Sequence, residues 1–389
     1  MNENPITYFA RTNYRGGGKV FGIKRADRRS HMYVIGKSGT GKTTLLKTMI
    51  LQDLQRGEGF ALLDPHGDLV EEVVARVPKE RAGEVVYLNA PDPNQLHRFN
   101  PLADVPHLKH PLAAAGLVEV FKKIWPDSWG PRLEHLLRNV CFALLETPGA
   151  TLADIPRLLK DGDYRRRVAE QVSNAQVRSF WLSEYEGYSP SLRALVIAPL
   201  QNKVGAFLTD PILYRILSAP RSTFNLRSLM DSGGVLLVNL SKGRIGEGPA
   251  ALLGSLLVAS LGLSALGRAD VLEEVRRDFF LYLDEFHTFS TLSLASMLAE
   301  LRKYRLGLVL GHQHLAQLTP RVQAAILGNV GTFVSFRVGP LDAQLLAREF
   351  APEVGVHDLT ALPNYEVYLK LMVDGVVSRG FSAATIRSH

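Results

Sequence analysis

Cysteine is nearly absent: Cys141 is the one thiol in 389 residues. That excludes an intramolecular disulfide framework and any Cys-rich zinc site, and it fits a reducing compartment. A signal-peptide core is also missing, since the first residues, MNENPITYFARTNYRGGG, hold no apolar run. Glycine (33) and proline (21) stay at ordinary levels, which excludes fibrous and low-complexity classes. The chain has no HExxH, no GxSxG and no Cys–His arrangement suited to covalent catalysis. It also lacks helix-turn-helix and zinc-finger patterns, so base-specific recognition is not expected. Long uncharged runs are scarce. The one candidate, residues 250–267 (AALLGSLLVASLGLSALG), approaches the roughly 20 residues that span a bilayer. Its three glycines, three serines and strand-like flanks make it read as a buried core helix, and the chain as soluble and cytoplasmic.

What is present is a folded protein's mixture, 46% hydrophobic and 21% charged. Forty-five basic against 38 acidic residues leave a net charge of +7, which permits a polyanionic partner without demanding one. Basic tracts include Arg11–His31, read as a solvated edge hairpin around Gly16-Gly17-Gly18, and Arg165-Arg166-Arg167. The segments 32–36, 59–68 and 84–90 read as strands, with helices over 43–55 and 69–77. Strand, helix, strand, helix, strand is the signature of a parallel α/β sheet. From about 102 to 220 the apolar spacing turns helical, punctuated by Pro126, Pro148, Pro156 and Pro190. Trp125, Trp129 and Trp181 all fall there and are expected in its core. Strand patterns resume at 233–240, 278–285, 306–313 and 331–338, and Asp374-Gly375 marks a closing hairpin. The expected organisation is an α/β core over 1–101 and 221–389, interrupted by an all-α domain over 102–220.

Residues 36–43, GKSGTGKT, fit G-x-x-x-x-G-K-[ST] after a hydrophobic strand and before a helix. Glycines let the backbone turn its N–H groups inward, and the helix N-terminus adds positive partial charge. The expected nucleotide contacts are Gly36, Lys37, Ser38, Gly39, Thr40, Gly41, Lys42, Thr43 and Thr44, with Lys42 on the β- and γ-phosphates and Thr43 on Mg²⁺. A metal-side carboxylate is expected at the tip of a neighbouring buried strand, and FFLYLDE offers Asp284. Glu285, one residue on, is placed to take a proton from an attacking water, which points to ATP hydrolysis. Asp64 in LLDPHGD suits either the metal shell or an Asp-Pro turn. Gln313 ends an apolar strand, where an amide needs a partner; orienting water and sensing the γ-phosphate are both open to it. His312 and His314 flank it and read as polar packing, with no third metal ligand nearby.

Taken in order, HMYVIGKSGTGKTT, GFALLDPHGDL, VLLVNLSKGRIGE, LYLDEFHTF and LRKYRLGLVLGHQHLAQL resemble the HerA–FtsK superfamily of P-loop ATPases. Within it the chain looks like the soluble part of the type IV secretion coupling proteins of conjugative DNA transfer, whose all-α domain lies at the same place in the order. The resemblance implies a RecA-like core with a mostly parallel sheet, ATP and Mg²⁺ as cofactors, and a homo-hexameric ring that drives DNA through its channel. Single- and double-stranded DNA both remain open. It gives Lys42, Glu285 and Gln313 catalytic roles and places an interface arginine at Arg302, with Arg305 and Arg337 as further candidates. Membrane-anchored members carry a transmembrane region ahead of the matching part. None is read here, so a free translocase recruited by a membrane-associated or nuclease partner is equally compatible. The competing readings are a secretion ATPase that moves protein or nucleoprotein, and a nucleotide switch or assembly scaffold.

Overall fold

The computed structural model describes residues 4–14 and 18–387. Arg15, Gly16 and Gly17 of the basic N-terminal tract lie outside the described residues. The chain forms two compact units. One comprises Met1–Leu88, Arg227–Leu240 and Arg268–His389; the other comprises Asn89–Leu226 and Ser241–Gly267.

The first unit is built on β1 (Ile6–Thr12), β2 (Val20–Lys24), β3 (Met32–Ile35), β4 (Gly59–Asp64), β5 (Val85–Asn89), β6 (Val235–Asn239), β7 (Phe279–Leu283), β8 (Leu306–His312), β9 (Thr332–Ser335) and β10 (Glu366–Lys370). A short hairpin, β11 (Met372–Val373) and β12 (Val376–Val377), precedes β13 (Phe381–Thr385). The sheet runs β2-β1-β13-β10-β9-β3-β8-β7-β4-β6-β5. From β9 through β6 every neighbouring pair is parallel, and β10, β13, β1 and β2 add antiparallel strands at one edge. This is the RecA-like P-loop NTPase fold. β3, β4, β6, β7 and β8 are buried along their whole length, which explains why they read as continuous apolar runs rather than alternating ones.

Register fixes what meets at the strand tips. Leu63 pairs with Leu283, Leu283 with Leu310, and Ile35 with both His312 and Ser335. The residues that follow β3, β4 and β7 therefore emerge side by side with the end of β8 at one edge of the sheet. The Asp374-Gly375 turn has positive φ at both positions (51° and 79°), as a two-residue hairpin of this twist requires. Both oxygens of Asp27 accept its backbone N–H groups at 3.0 Å.

The second unit is helical. Helix His110–Ile124 packs between Pro131–Leu145 and Glu247–Gly267. The last of these is long and apolar enough to cross a membrane, and here it is mostly buried. Asn100, itself buried, joins the two ends of the 102–220 stretch: its side chain donates to Ala150 O at 2.9 Å and Pro220 O at 3.1 Å. Of the three tryptophans expected in this core, only Trp181 is fully buried. Trp125 and Trp129 are only partly buried. The Trp129 indole N–H turns outward to Glu134 at 2.9 Å, the partner that a polar N–H needs. The Arg165-Arg166-Arg167 run is also divided. Arg165 is buried, bound to Glu186 and to the carbonyls of Leu158 and Leu159, so it serves the fold; Arg166 and Arg167 are exposed.

Candidate nucleotide site

The loop between β3 and helix Lys42–Arg56 closes over a tight packing constraint. A Cβ on Gly36 would stand 2.5 Å from the Cβ of Phe336, closer than side chains tolerate. Gly41 has φ of 120°, a conformation open to glycine, and a Cβ there would meet the Tyr365 ring at 2.8 Å. Thr40 is buried and ties the loop together: its hydroxyl donates to Lys37 O at 2.7 Å, and its own carbonyl accepts Tyr365 N–H at 2.8 Å. Lys42 folds back so that its ammonium donates to Gly36 O at 2.6 Å and Lys37 O at 3.1 Å. Burial lowers the affinity of Lys42 for its proton, while Glu285 and Asp284 oppose that shift.

The acidic side comes from the tip of β7. Asp284 is buried; Oδ2 accepts the Thr43 hydroxyl at 3.2 Å and Oδ1 accepts Glu285 N–H at 3.0 Å. Burial raises its pKa, and the neighbouring charges of Asp64 and Glu285 raise it further, against Lys42 and Thr43. Glu285 sits in left-handed backbone (φ 49°, ψ 53°), a cost for a residue with a side chain. Gln313 at the end of β8 donates through its amide to Glu285 Oε1. Glu285 Oε2 is buried without a hydrogen-bond partner, and His287 Nδ1 lies 3.5 Å from it. Ser38, Gly39, Gly41, Lys42, Thr43, Thr44, His66, Asp284, Glu285, Gln313 and Tyr365 line one pocket of about 340 Å³.

These residues fit a magnesium-bound nucleoside triphosphate. A lysine held by two carbonyl oxygens can exchange them for phosphate oxygens. A threonine hydroxyl and a carboxylate 3.2 Å apart supply the oxygen ligands a hard cation takes. The pocket combines cationic and helix-N-terminal groups with a buried carboxylate, one oxygen of which accepts no hydrogen bond.

Other residues fall where their partners put them. Asp64 closes its own turn, accepting His66 N–H at 2.8 Å and Val70 N–H at 3.1 Å, so the turn claims it. That turn carries the His66 imidazole to within 4.0 Å of Glu285 Oε1. His312 bonds Tyr33 OH through Nδ1 at 2.7 Å, and His314 Nδ1 stands 3.5 Å from Asp342. Burial, then His287, His314 and Lys42, push His312 down to about 3, so it stays neutral. Arg302 does not line the pocket of its own chain. It is exposed at the other end of β8 from Gln313, a seven-residue strand of roughly 23 Å. Arg305 is tied to Arg276 O and Arg337 to Leu362 O and Asn364. His66, His287 and Tyr365 were not singled out from sequence. For His66 a signal exists in the Asp-Pro-His-Gly turn; for Tyr365 none does, since it arrives from a loop more than 300 residues away from the glycines it packs against.

A phosphate-binding loop facing an Asp-Glu strand tip, on a RecA-like sheet interrupted by a helical unit, defines a P-loop ATPase of the HerA–FtsK type. A sequence model of the type IV secretion-system coupling protein DNA-binding domain matches residues 18–364, and the chain belongs to that family. Solved structures agree in fold. TrwBdeltaN70, a bacterial conjugative coupling protein, superposes with a TM-score of 0.70 at 16% identity, covering 98% of this chain and 89% of that one. The plasmid coupling protein TrwB in complex with ADP and Mg²⁺ gives 0.68 at 17% identity, covering 99% and 96%. VirB4 of Thermoanaerobacter pseudethanolicus gives 0.66 at 14% identity, covering 100% and 97%. No curated protein matches the sequence.

Proposed function

We propose that this chain is an ATP-hydrolysing motor that assembles as a homo-hexameric ring and drives DNA through the central channel, working on the cytoplasmic side where ATP is supplied. One observation carries the reading: Glu285, whose backbone is strained and whose other oxygen is held by Gln313, keeps a buried carboxylate oxygen that accepts no hydrogen bond, in the same pocket as Lys42 and Thr43. A scaffold that only bound nucleotide would have no use for such a group. In this reading Gly36, Lys37, Ser38, Gly39, Thr40, Gly41 and Thr44 shape and line the phosphate cradle, and Lys42 neutralises the β- and γ-phosphates. Thr43 and Asp284 would hold Mg²⁺. The bound ion supplies charge neutralisation for the departing phosphate. Glu285 takes a proton from the attacking water at its free oxygen, and Gln313 fixes that carboxylate's orientation. The TrwB complexes with ADPNP and with ADP and Mg²⁺ support the choice of cofactor.

DNA as cargo rests on the family, whose description names a DNA-binding domain, and on the excess of positive charge. In such a ring Arg302 would serve as the interface arginine at a neighbour's nucleotide. Its guanidinium makes no hydrogen bond or ion pair among the described residues, as a group reserved for another subunit would. The compact units suggest domains dividing near residues 88 and 226, with helix Glu247–Gly267 belonging to the helical one.

The test is ATP turnover by the purified chain with and without DNA, across a salt series. DNA should stimulate turnover, and the stimulation should fade as salt rises, because phosphate contacts release counterions. Stimulation by a partner protein and never by nucleic acid overturns DNA as cargo and favours the secretion reading. Full biological output in Glu285→Gln together with loss in Lys42→Ala overturns the motor in favour of a switch.

A further inference from the structure

We propose that His107, His110 and Glu146 form a binding site for one Zn²⁺ ion in the helical unit, distinct from the nucleotide site. One ligand atom from each of the three lies within 4.8 Å of the others. His107 and His110 stand three residues apart, across the junction between a short 3₁₀ turn and helix His110–Ile124, with ring centroids 5.0 Å apart. Glu146 caps the C-terminus of helix Pro131–Leu145.

The decisive group is His110. Its side chain is buried, and its Nε2 lies 3.1 Å from the carbonyl oxygen of Val105. A carbonyl accepts only, so Nε2 carries the hydrogen, and Nδ1 is left with its lone pair. That Nδ1 is buried and has no hydrogen-bond partner. An imidazole with one nitrogen anchored to a backbone carbonyl and the other unoccupied is the arrangement that metal-binding histidines adopt. A buried lone pair with nothing facing it is otherwise costly.

Ser173 orders the other two ligands. The Glu146 carboxylate is held by Ser173, whose backbone N–H donates to Oε2 at 2.6 Å and whose hydroxyl donates to Oε1 at 3.0 Å. His107 Nε2 lies 3.8 Å from Glu146 Oε1 and 3.0 Å from the Ser173 hydroxyl. Two hydrogen bonds keep the carboxylate oriented without supplying the charge that would neutralise it. Zinc bonds of about 2.0–2.1 Å place tetrahedral ligand atoms about 3.3 Å apart, so the cluster must contract. The His107 side chain is 66% exposed and can pivot inward, leaving the fourth position to water. Two imidazoles with one carboxylate select a borderline transition ion over Mg²⁺ or Ca²⁺, which take oxygen ligands. The site would tie Val105–His110 to the 146 and 173 segments and stiffen this unit.

The experiment uses the full chain, stripped with a chelator and then titrated with Zn²⁺ against a chromophoric competitor, with Co²⁺ as a spectroscopic probe. Wild type should take up one equivalent that His107→Ala and Glu146→Gln lose. The affinity loss should be no smaller than the roughly 10–100-fold that outer-shell changes alone cost. Bound Co²⁺ should give the strong visible bands of a tetrahedral site, and Mg²⁺ should not compete. His110→Ala risks misfolding, so the exposed His107 and the isosteric Glu146→Gln decide the outcome. Basal ATP turnover should be unchanged in His107→Ala. Equal zinc uptake by wild type and both variants, or no tight equivalent in wild type, overturns the proposal.

Discussion

The two ends of the parallel strands solve opposite problems. At the N-terminal end of β7 and its surroundings, charge is abundant and paired. Arg28 makes a bidentate pair with Asp53 at 2.7 Å on both arms, reaches the Tyr282 hydroxyl at 2.6 Å, and lies 3.4 Å over the Phe280 ring. Arg29 grips Asp278 through two nitrogens at 2.6 and 2.9 Å. At the C-terminal tips, 15–20 Å away by strand length, the carboxylates are crowded together instead. Burial, then Asp64 and Glu285, raise the cost of ionising Asp284, and Glu285 bends into left-handed backbone with one oxygen that accepts no hydrogen bond. Paired buried charge holds the sheet to the helix that follows the phosphate loop. Unpaired buried charge is tolerated where a cation and a phosphate are to arrive. The difference teaches which acids can be removed without unfolding the protein and which cannot.

That division is open to attack at several points. The largest effect is expected at Arg302, if it completes a neighbour's site: Arg302→Ala should lower turnover by about 10³–10⁵. Mixing it with Lys42→Ala should restore part of the activity, because each supplies what the other lacks at a shared interface. Failure of the mixture to recover would make Arg302 a surface residue. Next comes Glu285→Gln, expected to slow hydrolysis by roughly 10²–10⁴ while ATP binding persists. Its unfolding midpoint should not fall, since the change relieves a crowded anion; a large loss of stability would place Glu285 in the structural class. Asp53→Ala should do the reverse. Leaving Arg28 buried and unpaired costs about 3–5 kcal/mol, read as a lower urea midpoint, with the nucleotide site of the remaining folded fraction intact.

How much of this was legible beforehand follows the same line. The phosphate loop and the Asp-Glu tip are contiguous motifs on strand ends, so Lys42, Thr43, Asp284 and Glu285 were readable, and the parallel register then brings them together. Gln313 was readable as an amide at the end of an apolar run. Tyr365 was not, because its place beneath Gly41 depends on β10 lying next to β9, which no local pattern states. Arg28 and Asp53 were invisible as a pair for the same reason: one precedes β3, the other sits in the helix after it, and only burial distinguishes them from surface charge. Arg165 was read with its neighbours as one basic run, although helical periodicity turns it inward while Arg166 and Arg167 face out. Local chemistry is written in the chain; which charges are paired is a property of the packed sheet.

The smallest effect is the most diagnostic of the crowded edge. Burial, Asp64 and Glu285 raise the Asp284 pKa above its ordinary value in the folded protein. A folded state that holds this proton more tightly than the unfolded chain gains stability below the unfolded pKa. It loses that gain as pH rises through the folded value. At neutral pH ionised Asp284 therefore weakens the fold, and Asp284→Asn should raise the urea midpoint. The gain should lie within the roughly 0.5–2 kcal/mol typical of a single stabilising change. As pH falls through the folded-state value the two proteins should converge, because wild-type Asp284 then becomes protonated as well. Added Mg²⁺ and ATP should stabilise wild type far more than the variant, reversing their order. A variant less stable than wild type at neutral pH would mean that the Thr43 hydroxyl outweighs the crowding, and that the acids at this edge are paired after all.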